Sequence, residues 1–187
     1  KTYVMISNGK FYESQFEEAT IELLREAHWQ YAFGDDIHRK YTDPLIEEDL
    51  RNFLTVQYKD KNLTTSEMDS IVANLRNTGG QNDYYALRNA FLLYRDGYDF
   101  AYSDGRDNPF RLEYIDFEHP DHNIFRCVNQ FVMEQGRENR RPDILLFING
   151  IPVCIIELKN PTKQNATIHD AHTQICTRYM RDIPALL

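Results

Sequence analysis

RPDILLFINGIPVCIIELKNPTK, residues 141–163, carries the reading on which the fold depends. Two unbroken apolar runs, DILLFI and IPVCIIEL, flank Asn149-Gly150. Asn-Gly between apolar runs is the strongest short hairpin signal, because both residues tolerate the positive φ of a two-residue turn. Runs without polar alternation predict central strands covered on both faces, so helices must lie above and below them.

Working outward, IFRCVNQFVM (124–133) is rich in β-branched and aromatic residues, and RLEYIDFE (111–118) alternates at period two. Both predict further strands. SQFEEATIELLREAH (14–28) places apolar residues at helical spacing, and Ser14 with Glu17 matches a capping box. PLIEEDLRNFLTVQY, TSEMDSIVANLRN and YYALRNAFLLYRDG predict three more helices, the last preceded by the breaker NTGGQND. The first helix and the final segment, ATIHDAHTQICTRYMRD, are the predicted cover for the sheet. The expected fold is α/β: a mixed central β-sheet flanked by helices, with a helical insertion. The expected organisation is one domain over 1–187, with its core at about 10–34 and 110–187 and a peripheral helical middle at about 35–109.

Composition narrows the function classes. No apolar run approaches the roughly 18 residues of a membrane helix. The net charge of -8 argues against a protein that coats DNA, because nonspecific duplex affinity comes mainly from neutralising phosphates. The charge is uneven: from Glu134 onward seven Lys/Arg face six Asp/Glu, against fourteen facing twenty-three before it. Phosphate contacts are therefore expected in the C-terminal third. Cys127, Cys154 and Cys176 are widely spaced among apolar residues and form no CxxC pair, which fits a reducing cytoplasm rather than a disulfide framework or a zinc site. The opening residues, KTYVMISNGKFYE, lack an initiator Met and a signal-peptide core, and read as the boundary of a fragment of a longer product.

The chemistry concentrates where the hairpin strands meet the rim of the sheet. Asp143 opens one strand, and Glu157 and Lys159 close its partner, sharing a face about 6.5–7 Å apart by the strand rise. Whether Asp143 joins them depends on parity. A strict two-residue loop would set Asp143 opposite Ile156, on the face away from Glu157; a three-residue loop with a glycine bulge, or an equivalent bulge, brings all three together. We expect the bulge. Two carboxylates without His or Cys make a hard oxygen site suited to Mg²⁺ or Mn²⁺, with the Leu158 carbonyl as a further ligand. Lys159 would orient or deprotonate water and stabilise charge on a phosphate in phosphodiester hydrolysis.

Pro142-Asp143 followed fourteen residues later by Glu157-Leu158-Lys159 resembles the PD-(D/E)xK restriction-endonuclease-like superfamily. DFEHPDHNIFRCVNQF, RRPDILLFINGIPVCIIELKNP and AHTQICTRYMRDIPALL together resemble the R subunits of type I restriction enzymes over about the last 75 residues. The resemblance implies a nuclease domain cutting double-stranded DNA, a type I site-specific deoxyribonuclease. It implies Mg²⁺ held by Asp143 and Glu157, with Lys159 as catalytic lysine. An ATP-hydrolysing translocase would follow this chain. The partners implied are a specificity subunit and a methyltransferase that uses S-adenosylmethionine, in a cytoplasmic multisubunit complex. FEEATIELLREAHW resembles the family's first helix, making Glu17 the auxiliary metal-water ligand, with Glu13, Glu18 and Glu22 as rivals. Gln174 and Tyr179 match a Gln-Tyr motif that supports the site or holds DNA. Their spacing is one residue longer than the usual motif, and on an α-helix it turns them about 140° apart, so that both cannot face one atom.

Other features carry plainer readings. His119, Asp121 and His122 in EHPDHN read as a turn, and His169 and His172 as solvated helix residues. Arg137, Arg140, Arg141, Lys163, Arg178 and Arg181 lie near the site in sequence, with Arg141, Lys163 and Arg178 preferred as contacts to the DNA backbone. Two rivals stay open at this point: another repair or defence nuclease of the same superfamily, and a non-catalytic docking domain using the acidic helical middle.

Overall fold

The computed structural model describes residues 13–78, 84–159 and 167–183. In chain order the elements are α1 (Glu13–Glu26), β1 (Gln30–Phe33), α2 (Glu47–Gln57), α3 (Thr65–Thr78), α4 (Tyr84–Asp96), β2 (Tyr98–Phe100) and β3 (Phe110–Leu112). There follow β4 (Phe125–Asn129), β5 (Met133–Gln135), β6 (Glu138–Arg140), β7 (Ile144–Ile148) and β8 (Ile151–Ile156). The last helix runs through α5 (Ile168–Thr173), a π-helical segment (Gln174–Tyr179) and α6 (Met180–Asp182). All five predicted helices are present. Lys163, the tip of the NTGGQND breaker and the opening residues lie outside the described residues.

The main sheet has the order β1-β4-β7-β8 and is mixed, with β1 parallel to β4 and the other neighbours antiparallel. This topology sends the C-terminal ends of β1, β4 and β8 to one rim, beside the start of β7. One sheet face packs Val128, Leu145 and Phe147 against Phe131, Met133, Tyr179 and Ile183, so the final helix is cover for the sheet, as expected. α1 enters β1 through Trp29, whose ring stands edge-on to Phe125 at 5.2 Å between centroids.

Three expectations are corrected. β8 is an edge strand, with Val153 and Cys154 exposed, and of the two hairpin strands only β7 is enclosed by neighbours on both sides. RLEYIDFE pairs only as far as Leu112; Tyr114, Ile115 and Asp116 are buried consecutively, which no alternating strand allows, and the Asp116 carboxylate takes the backbone N–H groups of Glu118 and His119 in place of a ladder. The helical middle is not peripheral. Leu50, Phe53 and Leu54 of α2 and Ile71, Val72 and Leu75 of α3 form a second core with Phe100, Leu112 and Tyr114, each full burial stabilising by about 1.5–3 kcal/mol relative to exposure.

Ile151, the first residue of β8, belongs to that second core, and the hairpin turn fastens the two cores together. Asn149 is fully buried. Its backbone N–H donates to the Ile124 carbonyl at 2.8 Å, its Oδ1 accepts from the Ile124 N–H at 2.7 Å, and its Nδ2 donates to the Tyr114 carbonyl and to Asn123 Oδ1. The Gly150 carbonyl accepts from the Ile46 N–H just before α2, and Arg126 of β4 grips Asp49 of α2 through two bonds of 2.6 and 2.7 Å. At Gly150, φ is 76° and an added Cβ would lie 2.1 Å from the Ile46 carbonyl oxygen. Gly105 has a similar φ of 66° in open space. Gly150→Ala is therefore expected to destabilise the fold by about 2–3 kcal/mol and Gly105→Ala by about 1 kcal/mol. Denaturant midpoints of the two variants check the difference, and equal shifts would remove the close approach as a cause.

Candidate functional site

Asn149 and Gly150 both have positive φ, 51° and 76°, and Ile148 pairs with Ile151 across a two-residue turn. The expected three-residue loop is absent. The equivalent bulge is present one step up the strand: Phe147 pairs with Pro152 but Leu146 with Cys154, so Val153 is the extra residue. Beyond it Leu145 faces Ile155 and Ile144 faces Ile156, and continuing the register sets Asp143 directly across from Glu157. Opposed residues of an antiparallel pair share a face. The two carboxylates therefore converge, and Asp143 Oδ2 accepts the backbone N–H of Leu158 at 2.7 Å.

Glu157 is surrounded by donors. Lys159 Nζ donates to its Oε1 at 2.8 Å, Gln174 Nε2 donates to the same oxygen, and the Tyr179 hydroxyl donates to Oε2 at 2.9 Å. The expectation that Gln174 and Tyr179 cannot face one group is overturned by the local backbone. Gln174–Tyr179 winds as a π-helix, and the Met180 N–H reaches the Ile175 carbonyl five residues back. The wider i→i+5 turn brings residue 179 closer to the bearing of residue 174 than an α-helix would, and Gln174 Nε2 also lies 2.8 Å from the Tyr179 hydroxyl. Burial holds the Tyr179 hydroxyl well above the usual phenol range, so it stays a proton donor to Glu157. Two features anchor this helix. Thr167 and Asp170 form a capping box at its start, and the buried Asp182 at its end takes Arg140 of β6 at 2.5 and 2.9 Å.

Among the described side chains of the first helix, Glu17 reaches this rim. Its Oε1 accepts from Asn129 Nδ2 at 2.7 Å, and Gln130 Nε2 donates to both its oxygens at 3.2 and 3.3 Å. Its carboxylate is thus turned to the sheet, while Glu18 and Glu22 are exposed. Asn129 and Gln130 escaped the sequence reading. They lie in the quoted VNQF run, and the available signal was two amides at the exit of a core strand, the end that the hairpin parity brings beside Asp143. Gln130 has a φ of 56°, and its backbone N–H bonds the Asp143 carbonyl at 3.2 Å, which ties the end of β4 to the start of β7.

The remaining candidates separate. Arg141 and Arg178 are exposed, as is Arg137, whereas Arg140 and Arg181 are committed to Asp182. His169 and His172 are solvent-facing, with His172 Nε2 3.5 Å from Cys176 Sγ. The three cysteines are free thiols; only Cys127 is buried. His119 and His122 gather around Asp116, not Asp121. No helix of the described residues is long and apolar enough to cross a membrane.

Burial pushes the Asp143 carboxyl up to about 6; the negative charges of Glu157 and Glu17 add to the rise, while the Leu158 N–H and Lys159 oppose it. A carboxyl whose folded pKa is raised contributes stability in its protonated form below the unfolded value and loses it as pH climbs through the folded value. Asp143→Asn keeps an acceptor for the Leu158 N–H without the charge. In metal-free buffer, thermal melting of this variant should lie above the parent at about pH 7.5, and the gap should close below about pH 4. A gap that persists unchanged at low pH would assign the effect to packing.

The family described as type I restriction enzyme R protein N terminus matches residues 10–187. The endonuclease subunit of the type I restriction enzyme HindI from Haemophilus influenzae is 28% identical over 175 residues, covering 88% of this chain and 16% of that protein. An endonuclease subunit named for the type I restriction enzyme MjaIXP of Methanocaldococcus jannaschii is 31% identical over 178 residues, covering 91% of this chain and 17% of that protein. This chain thus spans about one sixth of the length of these relatives. The chain belongs to the family of N-terminal domains of type I restriction enzyme R proteins.

Proposed function

We propose that this domain is a PD-(D/E)xK nuclease module that hydrolyses DNA phosphodiester bonds with Mg²⁺, as part of an ATP-dependent type I restriction endonuclease. The observation that carries the reading is the bulge at Val153, which sets Asp143 across from Glu157 with Lys159 on the same rim. The endonuclease names of the relatives support it. The donor set also fits the ion. Asp143, Glu157 and the Leu158 carbonyl offer only oxygen, as Mg²⁺ prefers, and the Asp143 carboxyl, raised first by burial and further by Glu157 and Glu17, lies beside like charges that a cation would offset.

When bound, Mg²⁺ supplies a Lewis acid for a phosphate oxygen and lowers the pKa of a coordinated water. The chain supplies the rest. Gln174 and Tyr179 fix the Glu157 carboxylate, so that Lys159, moving off Oε1, can turn its ammonium toward the attacking water or the phosphate oxygens. Asn129 and Gln130 hold Glu17 at the same rim as an auxiliary acceptor for water. Arg141 and Arg178 are the described candidates for backbone phosphates, with Lys163 as a third from the sequence. In this reading sequence choice falls to a specificity subunit, and the partner methyltransferase would use S-adenosylmethionine. Residues of about 35–109 form the helical insertion of a single domain in this reading, and the ATP-driven motor follows it in the cytoplasmic complex.

The test uses the full-length subunit in its assembled complex with ATP, Mg²⁺ and plasmid DNA. Asp143→Ala and Lys159→Ala should each slow cleavage by roughly 10²–10³-fold and leave ATP hydrolysis at the parental rate. Gln174→Leu should weaken cleavage less. Parental cutting by the Asp143 and Lys159 variants would leave these residues structural and favour a docking role for the domain.

A further inference from the structure

At the turn end of the hairpin, away from Asp143, a second set of ligand atoms converges. Asp116 is 4% exposed. Its Oδ1 accepts the backbone N–H groups of Glu118 at 3.1 Å and His119 at 2.8 Å. Its Oδ2 accepts Gln57 Nε2 from α2 at 3.1 Å and faces Nδ1 of His122 at 3.0 Å and Nδ1 of His119 at 3.6 Å. The two rings stack with centroids 4.9 Å apart and planes 19° apart. Ligand atoms of the three residues all lie within 4.8 Å of one another.

Turn capping accounts for Oδ1, and Gln57 with His122 accounts for Oδ2, but neither accounts for the approach of His119 to the same oxygen. The two backbone bonds at Oδ1 suffice to shape Pro120–His122, the 3-10 turn that follows. One shared proton satisfies His122. The second imidazole, at 3.6 Å, is past hydrogen-bond reach of the same oxygen, yet it presents its Nδ1 to it. Donors at about 2.0–2.1 Å from a tetrahedral ion sit about 3.3 Å from one another, a value bracketed by the 3.0 and 3.6 Å observed.

We propose that Asp116, His119 and His122 form a surface site for a borderline divalent metal of the Zn²⁺, Co²⁺ or Ni²⁺ class, with the remaining coordination position open to solvent. Two imidazoles and one carboxylate suit these ions and not Mg²⁺, which takes oxygen ligands. The carboxylate is prepared for the role. Burial opposes its charge, but the His119 N–H, His122 and Gln57 together hold it below the usual range, so it is the anion. Gln57 and the turn amides fix its orientation as outer partners do at known metal centres. The exposed sides of both rings, 61% and 51% accessible, give the ion a path of entry. Asn123 donates to the Asp116 carbonyl and bonds Asn149, so an ion here would clamp the turn to α2 and to the hairpin that carries Glu157.

The experiment is Co²⁺ titration of the full-length protein in excess Mg²⁺, which occupies the oxygen sites, read by visible ligand-field absorbance. One equivalent of tetrahedral-type absorbance is expected in the parent and in Asp143→Ala. His119→Asn and His122→Asn should each weaken it by at least about a hundredfold, and unchanged circular dichroism of these surface variants separates ligand loss from misfolding. No absorbance at millimolar Co²⁺, or absorbance that survives both histidine substitutions, overturns the site. Loss of the signal in Asp143→Ala alone would move the ion to the nuclease rim, which refutes this site and leaves the nuclease reading intact.

Discussion

The constraint on which the rim depends is the parity of β8. A two-residue turn fixes which residues of two antiparallel strands face each other, and in an unbroken ladder it would send Asp143 and Glu157 to opposite faces. The single extra residue at Val153 reverses that relation for everything beyond it. It also sets Leu145 opposite Ile155, within the core covered by Tyr179 and Ile183, where an unbroken ladder would have set it opposite Cys154. A bulge is tolerated here because β8 is an edge strand, where bending disrupts the ladder on one side only. The same bend discourages pairing of the exposed edge with another chain.

The turn at the other end of the hairpin solves a different problem. Asn149 is a fully buried polar side chain whose oxygen and nitrogen are both satisfied by Ile124, Tyr114 and Asn123. An unsatisfied buried amide costs about 1–3 kcal/mol, so the segments holding those partners must come together for the turn to form. The Gly150 carbonyl extends the lock to α2. The hairpin is therefore fixed at its turn by the second core and free at its open end to present carboxylates. This is a physical reason for the acidic helical middle to be more than an appendage.

Much of this was legible in local periodicity. The helices of 44–58, 65–77 and 84–97 follow from apolar spacing, and the Asn-Gly hairpin from turn chemistry. Asp143, Glu157 and Lys159 could be grouped once a bulge was assumed, although the loop first expected is not the device used. What resisted reading was set by tertiary context. β1 is four residues with mostly exposed side chains, defined only by its pairing with β4. The edge position of β8 is invisible because bulge and burial, not composition, distinguish it from β7. The π-helical turn leaves no sequence signal, yet it decides whether Gln174 and Tyr179 meet. Glu17 matched a capping box, but its carboxylate turns to Asn129 and Gln130, partners 112 and 113 residues away.

The distribution of charge bears on how such a rim would meet DNA. Among the basic residues near it, Arg140 and Arg181 are both engaged by the buried Asp182, and Arg140 holds the last helix against β6. Exposed Arg137, Arg141 and Arg178 are the cations left on the described surface nearby, against a chain of net charge -8. Affinity for duplex backbone scales with the number of phosphates neutralised, and three exposed arginines give a weak hold. A domain built this way brings carboxylates and a lysine to a scissile phosphate with little grip of its own. Under the proposed function, this couples cleavage to delivery, because neighbouring basic surfaces must bring the duplex to the rim before Lys159 has a phosphate to act on.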